Sequence, residues 1–340
     1  MPRDRARFDG RDRLPREIAF DLPELQRAAE LVHRVLPSTP QYAWPKIARR
    51  AGCGVWVKHE NHTPTGAFKV RGGLVYLDRL RAREPGAAGV ITATRGNHGQ
   101  SIAFAAARAR VPATIYVPRG NSPDQNSAIQ ACGARLVEFG RDFDEAKHEA
   151  FRVAAAEQLH FVPSFHPDLV LGVATYALEL FTAVPDLDAV YVGVGMGSGI
   201  CGLIRVRDLM GLKTEIIAVG AAGAPATARS FAAGRPLPAE FARTFADGLA
   251  TREPHEDAIA TICRGAARMV EVSDEAVAEA MRVYFDDAHQ VAEGAGAAPL
   301  AALLEERQRW AGRNVAVVLS GGNIERARFL KVLGGATPEC

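Results

Sequence analysis

The chain has 340 residues, of which 48% are apolar and 24% charged; that length exceeds the ~250–300 residues at which a single core stops growing, so one bilobed unit or two closely joined domains is expected. No apolar run approaches the ~18–20 residues of a membrane span. The 41 basic and 39 acidic side chains are mostly interspersed and leave a formal charge of +2, so neither a membrane nor a nucleic acid is an expected partner.

The opening stretch MPRDRARFDGRDRLPR sets Arg3, Arg5, Arg7, Arg11, Arg13 and Arg16 among aspartates and lacks the apolar segment of a secretory signal. It reads as a solvated arm, either frayed or in contact with a second subunit. Cys53, Cys132, Cys201, Cys263 and Cys340 stand far apart, with no CxxC pair and no zinc spacing, which suits thiols in a reducing cytoplasm.

Further along, β-branched runs alternate with alanine-rich amphipathic stretches. GVWVKHE, GVITAT, ATIYVP, ARLVEFG, LHFVPSF, AVYVGVG, EIIAVG and VAVVLSGG read as strands. QSIAFAAARAR, SPDQNSAIQACG, DFDEAKHEAFRVAAAEQ, GICGLIRVRDLMGL and DEAVAEAMRVYFDDA carry helical spacing. The alternation predicts an α/β fold of parallel sheets covered by helices. Ser122 and Ser273 are placed to cap helices, and Gly133 and Gly211 to end them. Residues 220–238 read as a long loop with a helical piece.

Four segments gather polar residues and glycines near strand ends, where open α/β sheets bind ligands. In NHTPTGAFKVRGG, residues 61–73, Thr63-Pro64-Thr65-Gly66 predicts a turn, and Ala67, Phe68, Lys69 and Val70 a first helical turn. A helix start and an apolar wall both disfavour a charged ammonium, so Lys69 is placed to become a reactive amine; alone, the segment also fits a lysine snorkelling from a helix surface. TATRGNHGQSIAFAA crowds Thr92, Thr94, Asn97, His98 and Gln100 into a strand-to-helix turn that suits a carboxylate, although His98 and Asn97 also fit structural roles there. VGVGMGSGICG alternates Gly193, Gly195, Gly197 and Gly199 and adds Ser198 before a helix, which makes a cradle for phosphate. A dinucleotide loop would want an acidic residue at the end of the next strand, where EIIAVG ends in Val219-Gly220. VAVVLSGGNIE ends a buried strand in Ser320, Gly321, Gly322 and Asn323, whose glycines allow a flat ligand to approach closely, although a bare strand-to-helix turn fits the segment equally well.

Together and in this order, the segments resemble the fold-type II pyridoxal-phosphate enzymes, specifically the serine/threonine dehydratase and serine racemase group, over roughly residues 37–330. The resemblance implies a tryptophan synthase β-like architecture of two lobes, each a mostly parallel twisted sheet with flanking helices. Residues 1–87 and 166–340 would form the large lobe, and 88–165 a small lobe that closes on substrate. It implies pyridoxal 5'-phosphate as cofactor and Lys69 as the Schiff-base and catalytic lysine. Phe68, Asn97, Gly195, Met196, Gly197, Ser198, Gly199, Glu293, Ser320 and Gly321 would contact the cofactor. Thr94, Arg95, Gly96, Asn97 and His98 fall where the family grips the substrate. The implied reaction turns a β-hydroxy amino acid into a 2-oxo acid and ammonia; a β-replacement synthase or an amino-acid racemase would share the motifs. A cytoplasmic homodimer acting on a small amino acid is the family's habit.

Three departures qualify the match. Where racemases and many dehydratases of this group carry a small residue, commonly serine, before GNH, this chain has Arg95, which argues against racemisation. Arg95 either offers its planar fork to a second carboxylate on the substrate or turns outward to hold the loop or the lobe interface. The expected substrate class is accordingly 3-hydroxyaspartate or another 3-substituted serine. The family's cation site has lost its glutamate, reading Val219-Gly220-Ala221-Ala222, so no metal is expected, with Asp247 in FADG the remaining family-matched acid. The GQGT segment reads Gly172-Val173-Ala174-Thr175, taken as a change in packing, and no C-terminal regulatory domain or feedback control is expected.

Overall fold

Along the central strands, successive side chains point to opposite faces, and both faces are apolar, so helices must cover each side. The computed structural model describes residues 18–340; the arginine-rich arm lies outside the described residues. In chain order the helices are α1 (Leu22–His33), α2 (Pro45–Ala51), α3 (Lys69–Arg83), α4 (Asn97–Ala109), α5 (Pro123–Ala131), α6 (Phe143–Ala156), α7 (Pro167–Ala183), α8 (Ser198–Leu209), α9 (Ala226–Ala233), α10 (Glu256–Gly265), α11 (Asp274–Ala288), α12 (Gly294–Glu305) and α13 (Arg326–Leu333). The strands are β1 (Gln41–Ala43), β2 (Gly54–His59), β3 (Val90–Ala93), β4 (Ala113–Val117), β5 (Arg135–Glu138), β6 (His160–Phe161), β7 (Ala189–Gly193), β8 (Glu215–Ala221), β9 (Arg268–Val272) and β10 (Asn314–Leu319).

Two sheets result. The larger runs β1-β2-β10-β7-β8-β9 and is parallel except for β1, which pairs antiparallel with β2. The smaller, β5-β4-β3-β6, is wholly parallel and comes from residues 90–161. Every strand expected from the sequence forms, and two more appear. β1 is a three-residue edge, and β9 carries Arg268 and Glu271, so neither presents an apolar run.

The alternation along β10 shows the layering. Ala316 and Val318 face a core that includes Val70, Leu74, Ile102, Val173, Leu180 and Ile204, from the helices α3, α4, α7 and α8 between the sheets. Val315, Val317 and Leu319 face the opposite way, onto α11 and α12. A third, smaller cluster sets Ile91, Ala93 and Tyr116 of the small sheet against Ala146, Ala150 and Ala154 of α6. Each large aliphatic side chain buried in this way contributes about 1.5–3 kcal/mol.

The middle layer depends on close helix approach. A Cβ at Gly172 would stand 2.3 Å from the Arg71 carbonyl oxygen, and one at Gly72 would stand 2.8 Å from that of Leu169. Gly172 therefore serves packing, as its sequence context suggests. Ser122 and Ser273 cap α5 and α11 by accepting from the N–H groups of Gln125 and Ala276. No helix among the described residues is long and apolar enough to cross a membrane.

Candidate active site

The segment leading to Lys69 is held by the loop that follows β10. Gly66 N–H closes the expected turn on the Thr63 carbonyl at 2.9 Å, with φ +65° at Gly66. Ala67 does not join the helix: it forms an antiparallel bridge with Gly321. Phe68 N–H donates to Ser320 C=O at 3.0 Å, and Gly322 N–H to Gly66 C=O at 2.9 Å. These backbone bonds delay the helix start to Lys69 and set Ser320 beside it. The Lys69 Nζ lies 4.4 Å from the centroid of the Phe68 ring. Burial pushes the lysine pKa down, and Glu293 opposes that shift.

Two residues beyond Lys69, a charged cluster fixes the same turn from behind. Arg71, fully buried, donates Nε to Glu60 Oε2 at 2.8 Å and Nη1 to Glu179 Oε1 at 2.6 Å, with further bonds to Thr175 and Thr39. Lys58 completes it, donating to Glu179 Oε2 at 2.6 Å. Burial alone would raise the Glu179 carboxyl, but Arg71 and Lys58 hold it down to about 2. Such a cluster is a weak source of net stability and a strong source of geometry, because breaking one pair strands its partner in a dry site.

Opposite Phe68 lies the glycine loop between β7 and α8. Gly197 adopts φ +99°, and a Cβ there would strike Ala258 at 2.8 Å; one at Gly195 would stand 2.1 Å from the Gly248 carbonyl oxygen. Ser198 opens α8 and is buried, and Met196 packs partly buried against the middle core. Tyr176 Oη donates to Gly199 C=O at 3.1 Å, and its ring stands edge-on to Phe68 at 6.2 Å. The first turn of α8 thus lies against the Phe68 ring, and its N–H groups lack intrahelical partners, which favours an anion.

The small sheet supplies the facing wall. After β3, Thr94 Oγ1 accepts from Gly96 N–H at 3.0 Å and Gly99 N–H at 3.3 Å, so its side chain holds the loop. A Cβ on Gly96 would stand 2.6 Å from Gln125 Oε1, which explains glycine there. Asn97 Nδ2 donates to both Glu293 oxygens at 2.8 and 3.0 Å, and its Oδ1 accepts from Asn323 Nδ2 at 2.8 Å. Burial raises the Glu293 carboxyl to about 7 against those hydrogen bonds and Lys69. The His98 ring is turned to Thr92 Oγ1 at 3.2 Å, and Thr92 spends its own hydrogen on Val162 C=O, so His98 Nε2 donates. Burial, then Lys69, push His98 down to about 3, and it is neutral. Arg95 points outward, 56% exposed, with Asp247 Oδ1 3.7 Å away.

Several site residues escape a reading of sequence. Gln125, from α5, donates to the Asn323 carbonyl at 3.2 Å and accepts from Gln100 at 2.7 Å, which ties the two sheets together. Arg71 and Tyr176 are likewise revealed only by the fold. Among the described residues, no group of three or more His, Cys, Asp or Glu side chains is placed to hold a metal.

Residues 34–321 match the family model for pyridoxal-phosphate dependent enzymes. The chain belongs to that family. Its fold is fold-type II, its cofactor is pyridoxal 5'-phosphate, and its chemistry is that of the ammonia-lyase, or dehydratase, group. The chain is 35% identical over 280 residues to the L-threonine ammonia-lyase of Geobacter sulfurreducens, covering 82% of this chain and 69% of that protein. It is 29% identical over 310 residues to the L-threo-3-hydroxyaspartate ammonia-lyase of a Pseudomonas species, covering 91% and 97%. Among solved structures, the processed form of threonine deaminase isoform 2 from Solanum lycopersicum superposes with a TM-score of 0.86 at 28% identity, covering 96% and 97%. The residues present fit the cofactor: Lys69 is buried with its Nζ over the Phe68 ring and its charge disfavoured, and Gly199, in the first turn of α8, lies against the same ring.

Proposed function

We propose that this enzyme eliminates water from a β-hydroxy amino acid carrying a second carboxylate, of which 3-hydroxyaspartate is the type, and releases a 2-oxo acid and ammonia. The observation that carries the dicarboxylate reading is Arg95: its guanidinium sits one residue before the Gly96–Asn97 turn, exposed and, among the described residues, with one distant partner. The Pseudomonas relative's named substrate agrees with it. Arginine's planar fork matches a carboxylate bidentately.

In this reading Lys69 holds the cofactor, Phe68 and Gly321 flank its ring, and Ser320 offers a neutral hydroxyl to the ring nitrogen. Gly195, Met196, Gly197, Gly199 and Ser198 enclose its phosphate, with Asn97 and Glu293 beside the ring. Bound there, pyridoxal phosphate supplies an electron sink that acidifies the Cα–H of an attached amino acid. Lys69 Nζ, its charge disfavoured by burial, takes that proton as general base. The α-carboxylate is gripped by the Asn97 and His98 N–H groups at the start of α4, a turn held in shape by Thr94. His98, neutral and bound to Thr92, supports the turn through its ring. Loss of the Cα proton and the β-hydroxyl releases one water; hydrolysis of the resulting enamine consumes one, leaving 2-oxo acid and ammonia.

The unit 88–165 would move against the rest of the described residues and exclude water from the cleft. The bonds that span the sheets, Asn97 to Glu293 and Gln125 to Asn323, would hold the closed arrangement. The test is product analysis of the holoenzyme with 3-hydroxyaspartate, serine and threonine, with and without an added thiol. Equal yields of 2-oxo acid and ammonia are expected. Incorporation of the thiol would point to β-replacement, and accumulation of the mirror-image amino acid to racemisation.

A further inference from the structure

Resting on the reading that the substrate carries a second carboxylate, we infer that Asp247 is a resident stand-in for that carboxylate, which holds Arg95 in position until substrate displaces it. Asp247 begins the one-turn 3₁₀ helix Asp247–Leu249. That turn is set into the cleft by its neighbour, Gly248. The Gly248 carbonyl lies against Gly195 of the glycine loop, and a Cβ on Gly248 would stand 2.7 Å from Ala295, two residues beyond Glu293. The charge on Asp247 reaches Glu293, where it favours the protonated carboxyl.

The two oxygens of Asp247 face different cations. Oδ2 accepts from Arg328 Nη1 at 3.1 Å, whereas Oδ1 lies 3.7 Å from Arg95 Nη1. Arg328 Nε in turn lies 3.8 Å from Glu325 Oε2. Charge therefore alternates along the row Glu325, Arg328, Asp247, Arg95, and the row ends on a cation at the edge of the cleft.

Its last contact is its weakest. At 3.7 Å the pair is beyond hydrogen-bonding distance, both side chains are about half exposed, and pairs of that kind contribute little. A substrate carboxylate that meets the fork bidentately makes the stronger, charge-assisted contact. Asp247 keeps Arg328 when it releases Arg95, so the exchange strands no charge. A monocarboxylate brings nothing to exchange, and Arg95 stays paired. Asp247 acts on binding through Arg95, by competing for its guanidinium.

The test compares wild-type and Asp247→Asn holoenzymes for kcat and KM on 3-hydroxyaspartate and serine, and measures by calorimetry the dissociation constant of succinate, an unreactive dicarboxylate. Removing the competitor is expected to lower KM for 3-hydroxyaspartate and Kd for succinate by about two- to fivefold, with kcat for 3-hydroxyaspartate moving less than its KM. In an Arg95→Ser background the same change is expected to vanish. Unchanged or raised KM and Kd, an equal shift on serine, or a shift that persists without Arg95 would each overturn the inference. If the wild type does not turn over dicarboxylates, the substrate reading fails and this inference with it. If it does, and Arg95→Ser removes the preference while Asp247→Asn leaves succinate binding untouched, the inference alone fails.

Discussion

The two walls of the cleft are built on opposite electrostatic plans. Behind Lys69, the Arg71 cluster is buried and its hydrogen bonds to Glu60 and Glu179 run from 2.6 to 3.0 Å. Across the cleft, Arg95 is more than half exposed and, among the described residues, meets a single carboxylate at 3.7 Å. A buried, mutually satisfied cluster has one arrangement, because moving any member strands another. An exposed pair has many arrangements of similar energy. The contrast separates the lysine, which must be placed to within a fraction of an ångström, from the arginine, which must let one partner go and take another.

The sharpest way to break the contrast is to alter the fixed wall. Lys69→Ala is expected to lower turnover by more than about 10³-fold while urea unfolding stays near wild type, since Lys69 makes no ion pair with the protein among the described residues. Arg71→Met is expected to cost about 3–5 kcal/mol in urea unfolding, because Glu60 loses the guanidinium it pairs with and Glu179 is left with Lys58. A loss below about 1 kcal/mol would mean that the cluster is not what fixes the turn.

The adjustable wall should respond in the other currency. Arg95→Ser is expected to leave stability within about 0.5 kcal/mol of wild type and to lower kcat/KM for 3-hydroxyaspartate about 10- to 100-fold, with serine much less affected. Steady-state kinetics on both substrates would check this, and an equal loss on both would return Arg95 to a loop-holding role.

Glu293, which joins the walls through Asn97, ties stability to pH. Its carboxyl titrates at about 7 in the fold against about 4.3 in an unfolded chain, so the fold prefers the protonated form. The stability linked to that preference is complete below about pH 4 and lost as pH rises through 7. Glu293→Gln removes the titration. The unfolding midpoint of the cofactor-free variant is therefore expected to gain on wild type between pH 5 and 8; parallel pH profiles would contradict the assignment.

How far the site was legible follows the same division. The Lys69 turn, the glycine loop and the Ser320-Gly321 turn each depend on local backbone, and their glycines and strand ends announce them in the sequence. Contacts across the cleft do not. Asn97 meets Glu293 196 residues away and Gln125 meets Asn323 198 residues away, and nothing at either end marks the pairing. Arg71 reads as one more charged residue on a helix until the fold brings Lys58, Glu60 and Glu179 around it. Ala67 reads as part of the helix because nothing local announces its bridge to Gly321. α7 shows no clear stripe in the sequence, because it lies between two sheets and is apolar nearly all round.

The most direct test of the central claim is a competition in which wild-type holoenzyme is given 3-hydroxyaspartate and threonine at equal concentration and the two 2-oxo acids are quantified together. The dicarboxylic product is expected to dominate by about tenfold or more, as a contact worth at least ~1.4 kcal/mol to Arg95 requires. Predominance of the threonine product would contradict it.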